Sequence, residues 1–390
     1  MKKKPPFDFH PHELSFCGSS GAGKTTLLCS VVEHLQGKLD IGVVKHCGKG
    51  YDLAPEHKDS TRLLDANASF VMVHDDKKAA LLSNAAFSTS QTLALMLSKD
   101  AVLVEGHKFS RLPKIAVFGE GRKGDDLADS ILADIDKSDD DGDNGKVENI
   151  VAVVSQNPSD VIERVEQKLG DVPVFHRDDV ESIAAFVFNF LRVKAARVPV
   201  YGLLLTGGRS SRMGEDKALL KYGEEAQVTR AMKLLEDVCD KSFVSRRFDQ
   251  VDDERSQFPA VVDAFIDMGP LGGILSALQA HPEAAWLVLA IDLPFVSQKV
   301  LDDLVSKRNP LALATGYRNV ERGFVEPLIT LYEPKARQVL LMEMAAGKRC
   351  PRRALGEHHV EIIERSSDQA LDNINTQDER EEALRMLSVK

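Results

Sequence analysis

Cysteine is scarce in this chain of 390 residues: Cys17, Cys29, Cys47, Cys239 and Cys350 make up the whole set. Their number is odd, their spacing is wide, and no C-x-x-C pair occurs. That pattern argues against a disulfide framework and a zinc cluster, and it suits a reducing cytosol. Long apolar runs are also missing, and none approaches the ~20 residues needed to cross a bilayer. The basic start Met1-Lys-Lys-Lys leads into Pro-Pro-Phe-Asp-Phe-His, where a signal peptide would place an apolar core. A soluble, cytoplasmic protein is expected. There is no excess of positive charge either. The formal net charge of −10 argues against a nucleic-acid surface, although a local basic site for phosphates remains compatible with it. Hydrophobic and charged fractions of 43% and 28% lie in the range of soluble globular proteins. The length suits two or three domains.

Two glycine loops stand out from this background. The apolar strand Tyr201–Leu205 runs through Thr206 into Gly207-Gly208, and Arg209, Arg212 and Lys217 follow. Glycines let the backbone approach a ligand closely, and adjacent N–H groups can converge on phosphate oxygens. Arg offers bidentate hydrogen bonds and Lys a point charge, so the loop can neutralise a polyphosphate. No Gly-Lys-Ser/Thr closes it, so it is not a Walker loop. The second loop is of that kind. Strand Glu13–Cys17 leads into Gly18-Ser-Ser-Gly-Ala-Gly-Lys-Thr25 and then a helical run, Thr26–Leu35. Strand, glycine loop and helix in this order define a P-loop. Gly18, Gly21, Ala22, Gly23, Lys24, Thr25 and Thr26 are assigned to the nucleotide. Lys24 reaches the outer phosphates and Thr25 is placed to ligate Mg²⁺.

Further along, Ile41–Val44 reads as a strand with Lys45-His46 at its C-terminal end, where open α/β sheets put their ligands. A site role and a structural role for that pair both stand at this point. Ser60–Ala66 reads as helix, Ser69–His74 as strand and Ala79–Ser98 as a helix pair or lid-like segment. The buried strand Ala101–Val104 ends at Glu105, which is placed to hold Mg²⁺ or orient water. Lys114–Val117 and Ile150–Val154 are further strands, and Val180–Val193 is helical. The acidic stretch 136–146 reads as a solvated insertion. The boundary is expected within Arg192–Pro199, giving domains 1–197 and 198–390. In the second, Ala260–Val262 ends at Asp263, and Asp267-Met-Gly-Pro-Leu-Gly-Gly opens a helix. The strand Trp286–Ile291 stops at Asp292, where a carboxylate suits a hard divalent cation. The alternation of strands and helices predicts an α/β protein whose two domains are each a doubly wound, mostly parallel sheet.

These motifs carry two resemblances. GSSGAGKTT, VVKH, HKDS, VEGHK and LPKIAVF, over about residues 10–190, resemble the P-loop GTP-binding MobB proteins of molybdenum cofactor maturation. The chain departs from them in having Cys47-Gly-Lys-Gly after Lys45-His46. TGGRSSRMGEDK, VVDAFIDMGPLGGI, AIDLPFV and NINTQDE, over about 200–388, resemble the MobA guanylyltransferases in the same order. The second resemblance implies that Leu205, Thr206, Gly207, Gly208, Arg212 and Lys217 hold triphosphate and ribose. It places Asp263 on the guanine nucleotide, Asp292 on Mg²⁺, and Asn373 and Asn375 along the active site. Arg212, Lys217 and Asp292 are the catalytic set. Ser245-Arg246 stands where an asparagine often holds the nucleotide, and Glu326-Pro327-Leu328 matches a substrate-side loop.

Together the resemblances imply a bifunctional protein that transfers GMP from GTP to molybdenum-bearing molybdopterin and releases pyrophosphate. The GTP-binding accessory half would have at most weak hydrolysis. Molybdoenzymes and pterin-delivery proteins are the implied partners, with neither nucleic acid nor membrane. The alternatives are a cytidylyltransferase for the same pterin, a sugar-1-phosphate nucleotidyltransferase, which the loop alone favours but the MobB-like half does not, and a non-catalytic delivery adaptor.

Overall fold

The computed structural model describes residues 9–47, 59–119, 132, 147–206, 217–221, 225–250, 254–319, 323–364, 379, 381 and 385. The acidic stretch 136–146 lies outside them. The chain divides into two compact units, residues 1–36 with 41–187 and residues 37–40 with 188–390, so the division falls within the helix Val180–Ala196. Among the described residues, no helix is long and apolar enough to cross a membrane.

The first unit is built on β1 (Glu13–Cys17), β2 (Ile41–Lys45), β5 (Ala101–Glu105), β6 (Lys114–Val117), β7 (Ile150–Ser155) and β8 (Val174–His176), with β3 (Phe70–His74) and β4 (Ala79–Ser83) apart from them. The six strands form one parallel sheet in the order β2-β5-β1-β6-β7-β8. Every residue of β1, β5 and β6 is buried, as a parallel sheet covered on both faces requires. This order sets β1 between β5 and β6, so the loop after β1 opens at the middle of the sheet's C-terminal edge. Buried Lys114 is held by three carbonyls, those of Ser110, Leu112 and Glu148, at 2.5, 2.7 and 3.0 Å.

The segment Ala79–Ser98 differs from expectation. It is not a helix pair: β4 pairs antiparallel with β3, and only Thr89–Met96 is helical. The cause is the turn between the strands. Asp75 Oδ1 accepts from the N–H groups of Lys77 and Lys78 at 2.7 and 2.9 Å, and Asp75 N–H donates to the Lys78 carbonyl. A capping box of Ser88 and Gln91 then starts the helix.

The second unit holds β9 (Val200–Leu205), β10 (Lys241–Arg246), β11 (Ala260–Val262), β12 (Ala285–Ala290), β13 (Ala314–Asn319), β14 (Phe324–Tyr332) and β15 (Val360–Ile363). Their order is β11-β10-β9-β12-β14-β13-β15, and β14 runs antiparallel to both its neighbours. Alternation along the strands builds two cores. Leu204, Leu287 and Leu289 face Val228, Met232 and Leu235 of the helix Gln227–Glu236 and Leu301 of Gln298–Ser306. Tyr201, Leu203, Trp286 and Val288 face Leu271, Ile274 and Leu278 of the helix Pro270–Ala280. Each such leucine contributes about 1.5–3 kcal/mol when fully buried. Helices on both faces make the sheet doubly wound.

Glu326-Pro327-Leu328, expected as a loop, lies inside β14, and Glu326 is buried. The register of β13 against β14 shifts between Gly316 and Arg318, opposite this stretch. A proline is tolerated within a sheet at such an irregularity.

Candidate functional site

The first site grows from the loop between β1 and the helix Lys24–Leu35. Gly18 has no room for a side chain, because a Cβ there would lie 2.4 Å from the Val117 carbonyl oxygen. Gly21 and Gly23 take φ of 82° and 70°, the left-handed region that glycine enters without penalty. Ala22 is buried, and its N–H donates to the Ser19 carbonyl at 3.2 Å. Lys24 Nζ donates to the same carbonyl at 2.7 Å, so the lysine folds back over the loop. Burial lowers the Lys24 pKa, and the charge of Glu105 partly opposes that shift. Thr26 is exposed on the first helical turn, its carbonyl accepting from Ser30 Oγ.

Glu105, at the end of β5, meets this loop. The Thr25 hydroxyl lies 2.9 Å from each Glu105 carboxylate oxygen. Lys45, at the end of β2, places Nζ 3.0 Å from Thr25 Oγ1 and 3.0 Å from Glu105 Oε2. The register explains the convergence, since Lys45 pairs with Glu105 across adjacent parallel strands. Lys45 therefore joins the cluster. The His46 N–H donates to the Glu105 carbonyl, and the His46 ring packs 4.9 Å from that of His107.

One residue of this site carries no signal in any motif. Arg177 follows β8, and its guanidinium donates to the Ala22 carbonyl at 2.8 Å across 155 positions of sequence. It covers Gly23 so closely that a Cβ there would fall 1.6 Å from Nη2.

The second site lies at the C-terminal edge of β9 and its neighbours. Gly207, Gly208 and Arg212 lie outside the described residues, as do Asn373, Asn375 and the side chain of Lys217, whose backbone opens a short 3₁₀ turn, Lys217–Leu219. The described part of this edge forms a defined frame. The buried Thr206 hydroxyl donates to the Ser245 carbonyl at 2.8 Å, and Ser245 Oγ donates to Asp263 Oδ1 at 2.7 Å. Leu205, Thr206 and Asp263 are thus drawn together through Ser245. Burial raises the Asp263 pKa, with the Ser245 hydrogen bond and the charge of Arg247 acting against it.

Leu205, Ser245, Arg247, Phe248, Asp263, Met268 and Gly273 line a pocket of about 600 Å³, within the usual size for a small-molecule site. The glycines of Pro-Leu-Gly-Gly shape its wall. A Cβ on Gly273 would meet Leu205 Cδ2 at 2.6 Å and Ser245 Oγ at 2.9 Å, and one on Gly272 would meet the Phe265 carbonyl at 2.4 Å.

Asp292 is half-buried two residues beyond β12. Since Ala290 pairs with Leu205 in register, Asp292 emerges at the same sheet edge as Thr206. Arg230 donates to the carbonyls of Pro294 and Val296 at 2.7 and 3.0 Å and fixes the turn that follows. Arg247 and Phe248, absent from the motif reading, enter the pocket from the segment after β10.

Comparison with known proteins finds separate matches in the two halves. Residues 13–135 match the family described as molybdopterin guanine dinucleotide synthesis protein B, and residues 202–362 match the MobA-like NTP transferase domain. The chain is 33% identical over 186 residues to a molybdenum cofactor biosynthesis bifunctional protein of Synechocystis, a stretch covering 47% of this chain and 54% of that relative. It is 30% identical over 186 residues to a molybdenum cofactor guanylyltransferase of Pseudomonas putida, covering 46% of this chain and 95% of the relative. Among solved structures it is similar to the molybdopterin-guanine dinucleotide biosynthesis protein A of Archaeoglobus fulgidus, at 21% identity and a TM-score of 0.41, over 49% of this chain and all of that one. A P-loop unit of MobB type therefore precedes a MobA-like transferase unit, and the chain belongs to the molybdenum cofactor guanylyltransferases, a family of nucleotidyltransferases.

Proposed function

We propose that the second half transfers GMP from GTP to the terminal phosphate of molybdenum-bearing molybdopterin, and that the first half binds GTP as an accessory unit. The observation that carries this reading is the meeting of Leu205, Thr206, Asp263 and Asp292 at one sheet edge beside a pocket of nucleotide size. A pterin phosphate oxygen attacks the α-phosphorus in line. The bond to the β-phosphate oxygen breaks, and pyrophosphate leaves with the electron pair. No side-chain nucleophile is needed. Gly207, Gly208, Arg212 and Lys217 neutralise the triphosphate, while Asn373 and Asn375 line the site.

Asp292 fits a magnesium ion in its chemistry, since Mg²⁺ is bound through one or two carboxylates together with substrate phosphates. When bound there, it would offset charge on the departing pyrophosphate. Thr25 and Glu105 offer a hydroxyl and a carboxylate to the corresponding ion of the first site. Residues 1–197 and 198–390 are the working halves in this reading, acting in the cytoplasm, with molybdoenzymes as recipients of the product.

Incubation with GTP, Mg²⁺ and molybdopterin should yield the pterin–guanine dinucleotide by mass, together with one pyrophosphate. CTP should compete poorly. Preferred use of CTP would make the protein a cytidylyltransferase, and a chain that binds GTP yet forms no pyrophosphate would be a delivery adaptor.

A further inference from the structure

We infer that Arg177 reads the base of the nucleotide held by the first phosphate loop and makes that site select guanine. The inference rests on the proposal that Gly18–Thr25 holds a nucleoside triphosphate. The direction of that nucleotide follows from the sheet. Thr25, Glu105 and Lys45 cluster on the β5 and β2 side of β1. Outer phosphates and their cation belong with a hydroxyl, a carboxylate and two lysines. The nucleoside end must then run the other way, over the C-terminal ends of β6, β7 and β8.

Arg177 stands on that rim, directly after β8. Its guanidinium already touches the loop through the Ala22 carbonyl and lies over Gly23, the residue before Lys24. An arginine carries five N–H donors in a rigid fork. Ala22 is the hydrogen-bond partner it has among the described residues, and that bond uses one nitrogen. Among the described residues, nothing else takes the rest of the fork, which suits a ligand. Guanine presents O6 and N7 side by side, two acceptors that a guanidinium meets bidentately; adenine presents an amino donor beside N7, which sets N–H against N–H. Pyrimidines have no N7. A lysine would not substitute, because a point charge cannot match two acceptors at once.

The test uses the full chain and fluorescent analogues of GTP, ATP, ITP and 7-deaza-GTP, following the component of binding that Lys24→Ala removes. In the unmodified chain ITP should bind like GTP, since it keeps O6 and N7, while 7-deaza-GTP should bind more weakly. Arg177→Ala should weaken GTP by ~10–100-fold, leave ATP nearly unchanged and erase the handicap of 7-deaza-GTP. Arg177→Lys, which keeps the charge and most of the packing, should lose most of the same discrimination. Equal weakening of GTP and ATP, or an unchanged ratio between them, would mean that Arg177 only braces the loop, and would overturn the inference. If Lys24→Ala removes no binding component at all, the nucleotide reading of the loop fails and takes the inference with it.

Discussion

In the first unit the Glu105 carboxylate meets a hydroxyl and an ammonium, from Thr25 and Lys45; in the second, Asp263 meets the Ser245 hydroxyl and burial that raises its pKa. The first acid is already balanced by the protein's own cation. The second is charged at a cost and is relieved by whatever donates hydrogen bonds to it. Buried carboxylates favour their neutral form unless such donors arrive. The first arrangement therefore suits exchange of one cation for another around a phosphate chain. The second suits recognition of a ligand's N–H or O–H groups. Two carboxylates, each near the end of an apolar strand, thus differ in what already balances them.

The largest effects should fall on the second unit. Lys217→Ala should lower dinucleotide formation by about 10²–10³, the usual loss of one preorganised contact to developing charge. Asp292→Asn should reduce the rate together with its dependence on Mg²⁺. If Asp292 is only a turn cap, asparagine serves equally well and the rate survives. Steady-state pyrophosphate release across a Mg²⁺ titration separates the two roles, and an unchanged profile would sink the assignment.

An intermediate effect should follow in the first unit. Lys24→Ala should remove one of two GTP-binding components in calorimetry while transfer at saturating GTP continues. If transfer stops as well, the two sites share one reaction and the comparison collapses.

The smallest effect concerns Asp263 and has two signs. Its carboxyl is held above its ordinary value in the folded state, so the unfolded chain ionises first. The resulting penalty is absent below the ordinary carboxylate range, grows as pH rises through it, and is complete once pH passes the raised folded value. Asp263→Asn removes the charge yet keeps an acceptor for Ser245. The variant should melt higher than the parent at neutral pH, with the gain shrinking in acid, while its KM for GTP rises. Thermal melts at pH 4 and pH 7 beside GTP titrations of the transfer reaction check both. A gain that is the same at both pH values would show that desolvation of the charge is not the cause.

Much of the frame was legible in the sequence because it is written locally. Strand, glycine loop and helix are contiguous, so Gly18–Thr25 could be placed before any fold was known. The places of Glu105 and Asp292 were legible for a related reason, since one ends an apolar strand and the other follows one by two residues. Arg177 was not, because its role depends on β8 joining β1's sheet across 155 positions. Ser245 stands out in the sequence only through the resemblance, and its bonds to Thr206 and Asp263 show only in the fold. Ser69–His74 reads as a strand and is one, but its partner Ala79–Ser83 reads as helix when the Asp75 turn before it goes unrecognised. Glu326-Pro327-Leu328 misleads in the opposite direction: the resemblance implies a loop, and a shifted register admits the proline to a strand.

The missing side chains of Gly272 and Gly273 work as a ruler between a helix and a strand. Glycine inside a helix costs about 1 kcal/mol relative to alanine, so two in succession weaken the opening of Pro270–Ala280. What they return is distance: the helix lies against Leu205, Ser245 and Phe265 with no methyl group between. For anyone comparing related chains, this pair is therefore a sharper marker than its neighbours. A chain with alanine at 273 would have to part Leu205 from Ser245 and would pull Asp263 off its hydroxyl. One with alanine at 275, where Leu275 packs into the core, would lose stability and keep its pocket.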